Sequence, residues 1–208
     1  MTITVHHLNN SRSQRILWLL EELGIDYDIK HYARDAVTSL APPELRAIHP
    51  LGKSPLLQVG DRIIQESGAI VEYVCEHLGG DALVPPRGTD AHISHLEWMH
   101  FAEGSAMSPI LLNLFIGRLG EGGAPLRPRI DSELASHFGL LENALNDHGH
   151  FIGDRLSAAD IMLSFPCEVA ATQGGAEKYP RLSAFVAAMH ARPAWQRARE
   201  KGGAYFAF

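Results

Sequence analysis

The chain has 208 residues, 46% of them hydrophobic, which is ample for a packed core and excludes disorder as its default state. Eighteen Lys and Arg stand against 24 Asp and Glu, a formal net charge of -6 with no long run of either sign, so neither nucleic acid nor an acidic membrane is the expected partner. Met1 leads into His6 and His7 without a basic region followed by an apolar one, and no stretch approaches the ~18 apolar residues of a membrane span; a soluble, cytoplasmic protein is expected.

Residues 2–5 alternate as a short strand through Ile3 and Val5, and 27–32 do so through Tyr27 and Ile29. Between them Ile16, Leu17, Leu19, Leu20 and Leu23 recur at helical spacing, and Gly24 stands where a helix ends, so the segment predicts a βαβ unit. A variable segment follows. Residues 55–59 and 62–65 then predict two strands joined by Gly60-Asp61, a pair suited to a two-residue hairpin. From Ser67 onward Ile70, Val71, Val74 and Leu78 share one helical face. The Gly-, Pro- and Asp-rich stretch 81–90 has no periodicity and predicts a linker between a domain over 1–80 and a domain over 91–208. Beyond it only helical patterns occur, roughly at 91–118, 128–147, 158–172, 181–190 and 193–200. Pro109 predicts a kink or a break in the first of these. Ser157 and Asp160 predict a capping box, a role in stability rather than catalysis. The fold class is an α/β domain followed by an all-α domain.

Cys75 and Cys167 form no CxxC pair, which argues against structural zinc and an intrinsic dithiol centre; buried thiols are expected. His92 and His95 are three residues apart but lack an HExxH context, so they are expected to be surface histidines, with no metal bound. Three other segments could carry chemistry. His49-Pro50-Leu51-Gly52-Lys53-Ser54-Pro55 places prolines directly before a strand, where a cis Ser54-Pro55 bond would leave the Ser54 amide and carbonyl open to another extended backbone. Gln65-Glu66-Ser67-Gly68 joins a strand to a helix N-terminus, which favours a carboxylate while Glu66 can pair with an ammonium group. Asn9-Asn10-Ser11-Arg12-Ser13 sets hydroxyl and amide donors beside another helix start, where they can serve a developing anion. An ordinary turn and ordinary helix caps are the plainer readings of the same residues.

Taken in chain order, the turn at 9–13, then Ser54-Pro55, then Glu66-Ser67, the three segments resemble the glutathione S-transferase family. The likeness lies in SRSQRILWLLEELGIDYD (11–28), PPELRAIHPLGKSPLLQVGDR (42–62), QESGAIVEYV (65–74) and LSAADIMLSFP (156–166), and it is nearest to the bacterial and fungal branch with a Ser-Arg turn and an HPLGKSP segment. The resemblance implies a thioredoxin-like βαβαββα domain with a helical domain after it, glutathione as co-substrate and a homodimer. By motif position, Glu66 and Ser67 would hold the γ-glutamyl end, Ser54 beside Pro55 the cysteinyl backbone, and Lys53 the glycine carboxylate. Ser11 would activate the thiol, with Asn10 and Asn9 as neighbours. A small electrophile would lie between the domains against Trp98, Phe101, Met107 and Phe206, although Trp98 and Phe101 read equally as packing residues. The implied activity is thiol transfer in detoxification, with peroxidase activity beside it. Glutathione-dependent disulfide reduction, or a non-catalytic binding or regulatory protein on the same fold, remain alternatives. A tyrosine or cysteine in the first turn, or the Ser-Ser-Cys turn of zeta-type isomerases, is missing from Asn10-Ser11-Arg12.

Overall fold

The structure is a computed structural model and describes residues 2–203 and 205. These residues form two compact units. One takes in the chain as far as Val84 and resumes at His190; the other runs Pro85–Met189.

In the first unit β1 (Ile3–Leu8), α1 (Gln14–Leu23), β2 (Asp28–Tyr32), α2 (Pro43–Ile48), β3 (Leu56–Val59), β4 (Arg62–Gln65) and α3 (Ser67–His77) follow in order. The sheet runs β2-β1-β3-β4. β1 is parallel to β2 and antiparallel to β3, and β3 is antiparallel to β4, with Val5 opposite both Ile29 and Leu57. This is the thioredoxin-like arrangement that the motifs imply. β1 extends to Leu8, beyond the alternating stretch, because a central strand covered on both faces need not alternate: residues 5–8 are all buried.

α1 is buried continuously from Gln14 to Glu21, as expected of a helix enclosed on more than one side. Its end is a Schellman motif. Gly24 sits at φ 64°, its N–H reaches the Glu21 carbonyl at 3.3 Å, and Ile25 N–H reaches the Leu20 carbonyl at 3.0 Å. The other cover of α1 is α9 (Pro193–Gly202), which the sequence pattern groups with the helical domain. Glu21 and Glu22 bind its basic residues and hold it in the first unit.

The second unit contains α4 (Asp90–Phe101), α5 (Met107–Gly117), α6 (Arg127–Ala144), α7 (Ala158–Lys178) and α8 (Pro180–His190), whose last residue meets the boundary. The run expected over 91–118 is divided by a π turn at Ala102–Ala106. Pro109, buried in the first turn of α5, has no N–H for the Ser105 carbonyl and its ring needs room there, so the backbone widens just upstream. α7 is buried from Ala158 through Ala170. Its capping box forms: Asp160 N–H donates to Ser157 Oγ at 3.2 Å, and Asp160 Oδ2 accepts from Ser157 N–H at 2.7 Å. Asp160 Oδ1 also accepts from Phe151 N–H at 2.9 Å. Among the described residues no helix is long and apolar enough to cross a membrane.

Candidate active site

Strand register brings the three candidate segments to one end of the sheet. His6 at the close of β1 is opposite Leu56 at the start of β3, and Leu56 is opposite Gln65 at the end of β4. The turn after β1, the Ser54-Pro55 segment before β3 and Glu66-Ser67 after β4 therefore emerge side by side.

The Ser54-Pro55 bond is cis. The Ser54 hydroxyl is committed to β1: it donates to the His6 carbonyl at 2.9 Å and accepts from Leu8 N–H at 3.2 Å. That stitch fixes the segment against β1. Lys53 beside it is exposed. Glu66, also exposed, has φ 67° and ψ 124° and precedes α3, while Ser67 is buried as the first residue of that helix. Arg12 connects the first turn to this point: burial pushes its guanidinium below the usual value, and the Glu66 carboxylate acts in the opposite sense.

The first turn is held from β2's side by Arg34. Its backbone N–H binds Asn9 Oδ1 at 2.9 Å, its Nε the Asn9 carbonyl at 3.1 Å, and its Nη2 the Asn10 carbonyl at 2.9 Å. Asn10 is thereby set at φ 53°. The Asn9 amide oxygen is engaged in this clamp.

Ser11 opens a chain of side chains that local sequence does not display. Its Oγ is 2.7 Å from Ser13 Oγ and accepts from Ser13 N–H at 3.2 Å; Ser13 Oγ is in turn 2.8 Å from His7 Nδ1. His7 is 2% exposed, and burial, with His31 adding repulsion, pushes its pKa down to about 4. The imidazole is neutral near pH 7.

Trp98, Phe101 and Met107, expected to face an electrophile, all lie in the second unit. Trp98 packs edge-on against Phe101 with ring centroids 5.5 Å apart and lies 5.3 Å from Phe151, which meets Phe185 at 5.4 Å. Met107 is buried in the same unit, and Phe206 lies outside the described residues. His95 is not a surface histidine: at 2% exposure it belongs to the core, because α4 turns that face toward α7. It stacks on His92 with centroids 6.0 Å apart. Both cysteines are buried, and burial pushes Cys75 up to about 12 and Cys167 well above its ordinary value.

Residues 1–76 match the glutathione S-transferase N-terminal domain and 92–193 match its C-terminal domain. Glutathione S-transferase 1 of Saccharomyces cerevisiae is 32% identical over an alignment spanning 97% of this chain and 96% of its own. The chain belongs to the glutathione S-transferase family. A crystal structure of a glutathione S-transferase from Actinobacillus pleuropneumoniae superposes with a TM-score of 0.86 at 32% identity, over 97% of this chain and 93% of the other. A sphingomonad glutathione S-transferase complexed with glutathione shares the fold at a TM-score of 0.79 and 21% identity, covering 96% and 98% of the two chains. Members of the family use glutathione as substrate, so a tripeptide thiol is the ligand against which this transferase's sheet end is to be read.

Proposed function

We propose that this transferase binds glutathione across the sheet end and activates its thiol for attack on a small electrophile. The observation that carries this reading is the convergence, through strand register, of the Ser11 turn, the Ser54-Pro55 segment and Glu66-Ser67. Glu66 takes the γ-glutamyl ammonium, and Ser67 with the N-terminus of α3 takes the adjoining carboxylate, where free N–H groups and the helix dipole favour negative charge. The Ser54 amide and carbonyl pair with the cysteinyl backbone, and Lys53 approaches the glycine carboxylate. This places the thiol toward Ser11 and Asn10.

A free thiol has a pKa of about 8.5, and the thiolate is the nucleophile. Lowering that value by roughly two units requires about 2.7 kcal/mol of selective stabilisation, a size that one well-placed hydroxyl and a helix N-terminus can supply together. The ultraviolet absorbance of bound thiolate, followed against pH, tests the assignment. Ser11→Ala is expected to return a depressed thiol pKa toward the free value. A depressed pKa that the substitution leaves in place moves the role to Asn10 or to backbone amides, and no bound thiolate at any pH refutes activation.

A further inference from the structure

Arg34, half-buried just beyond β2, joins two segments of the first unit. On one side its Nε donates to the Asn9 carbonyl at 3.1 Å and its Nη2 to the Asn10 carbonyl at 2.9 Å. On the other its Nη1 donates to the Ser39 carbonyl at 2.9 Å. Three nitrogens of one guanidinium thus meet backbone carbonyls of three residues. A planar group whose N–H bonds are fixed as a fork suits such a set, whereas an ammonium is a single point charge on a flexible stem. The segment beyond Arg34 closes on itself: Asp35 Oδ1 accepts from Val37 N–H at 3.1 Å and Thr38 N–H at 2.7 Å, Ser39 N–H donates to the Asp35 carbonyl at 2.9 Å, and Asp35 N–H donates to the Leu40 carbonyl at 2.9 Å.

The turn after β1 is held differently. Asn9 N–H donates to the Tyr32 carbonyl at 3.1 Å, which extends the pairing of β1 with β2, and the chain then leaves the sheet through Asn10 at φ 53°. A residue with a side chain keeps that left-handed conformation where its surroundings hold it. The Asn9 carbonyl belongs to the peptide plane before the Asn10 α-carbon and the Asn10 carbonyl to the plane after it, so Nε and Nη2 together fix both planes that the Asn10 dihedrals relate. The bond from Asn10 to Ser11 is trans, and a trans peptide carries its N–H opposite its carbonyl. With the Asn10 carbonyl on Arg34, the Ser11 N–H faces away from the guanidinium. Ser11 Oγ follows on the same stretch of backbone, accepting from Ser13 N–H at 3.2 Å.

We propose that Arg34 is a positioning residue for the thiol-activating turn: its guanidinium fixes the backbone on both sides of Asn10, and with it the direction in which Ser11 presents its amide and hydroxyl, and ties that turn to the segment 35–40 so that the two hold or loosen together. The proposal rests on the reading of this turn as the thiol's donor, whichever of its groups donates. Donors aimed in advance at a developing anion need no rearrangement when the charge appears, which is why their fixed direction matters for the thiol. Arg34 acts through the backbone, and no bond is made or broken in its role.

Two measurements test it. The first is the pKa of bound glutathione's thiol. Arg34→Ala releases both peptide planes and is expected to raise that pKa by about half a unit to one unit, a three- to tenfold loss in the thiolate-to-thiol ratio. Arg34→Lys keeps the charge without the fork and is expected to show most of the same rise. A Lys variant at the wild-type value would assign the effect to charge rather than geometry and overturns the proposal. A merely structural role would lower the urea midpoint while leaving the thiol pKa of the folded, liganded protein where it was, and that result overturns it as well. The second measurement is hydrogen exchange in the ligand-free transferase. In Arg34→Ala the hydrogen-bonded amides of Asn9, Thr38 and Ser39 are expected to exchange faster together while those of β4 do not, and a rise confined to one side of Arg34 overturns the tie. If wild-type glutathione shows no bound thiolate at any pH, the activation reading fails and takes the thiol role of Arg34 with it, and the exchange pattern still decides whether Arg34 joins the two segments.

Discussion

Glu66 reaches the sheet end by way of a backbone conformation that side-chain-bearing residues seldom adopt, φ 67°, in an exposed position just ahead of α3. Such a conformation is costly, of order 1 kcal/mol or more, and a residue held in it is a reasonable place to look for binding. The carboxylate's assigned task is to pair with an ammonium ion, and hydrogen bonds to charged groups contribute about 1.5–3 kcal/mol each. Glu66→Gln is therefore expected to raise the KM for glutathione about ten- to a hundredfold, with a smaller change in kcat. Initial rates at varied glutathione with a chromogenic electrophile measure the split, and an unchanged KM removes Glu66 from the contact set. The two kinds of site residue differed in how far the sequence displayed them. Glu66, Ser67 and Ser54 sit in turns whose composition marks them, because a strand-to-helix junction and an X-Pro turn are local structures. His7 lies within a strand, and its contact with Ser13 across the turn is made only by the folded chain, which no local pattern records. Arg34 is similarly hidden: it clamps Asn9 and Asn10 from beyond β2 through contacts that only the folded chain makes.

α9 is tied to α1 by ionic contacts, most of them centred on Glu21. That carboxylate accepts from Tyr27 Oη at 2.9 Å and Arg197 Nε at 2.8 Å and also binds Lys201, while Glu22 accepts from Trp18 Nε1 at 3.0 Å and binds Arg192. Burial alone would raise the Glu21 pKa, but hydrogen bonds from Lys201, Arg197 and Tyr27 together hold it below the ordinary carboxylate value. Tyr27 moves the opposite way, its phenol raised first by burial and then by the hydrogen bond to Glu21. Glu21→Gln keeps the shape and removes the charge, and is expected to cost about 1–3 kcal/mol, the range for charge-assisted hydrogen bonds. Hydrogen exchange locates the loss: amides of residues 193–203 are expected to exchange faster while those of β3 and β4 do not, and protection unchanged throughout α9 refutes the tie. The periodicity of α9 was legible, but its partner was not, since a helical pattern says which face is apolar and not which helix covers it. The π turn before α5 was half legible. Pro109 announces a disturbance, yet the choice between a kink and an added residue in the turn depends on packing within the helical unit.

At the scale of the whole molecule, three buried imidazoles make stability depend on pH: His6, lowered chiefly by burial, and, with larger shifts, His7 and His95. His7 and His95, each 2% exposed, have pKa values lowered from 6.5 to about 4, in both cases chiefly by burial. The unfolded chain therefore binds more protons than the folded one between these values, and stability rises with pH across that window. The contribution is complete above about 6.5, declines as pH falls toward 4, and does not decline further once both states are charged. Each shift corresponds to about 3 kcal/mol, a large share of the roughly 5–15 kcal/mol that holds a typical domain folded. His6 and His7 lie in one compact unit and His95 in the other, so both units are expected to weaken in the same range rather than one after the other. Glu21, with its lowered pKa, adds a loss of the same sign at lower pH, as its carboxylate is protonated and releases Arg197 and Lys201. Urea midpoints measured from pH 7.5 down to pH 4.5 are expected to fall steadily below about pH 6.5. His95→Leu removes one of these titrations without touching the sheet end and is expected to flatten part of the fall, leaving the share of His6 and His7. A midpoint that stays level between pH 7 and pH 5 would show that these imidazoles titrate as they do in the unfolded chain, and that burial does not hold them neutral.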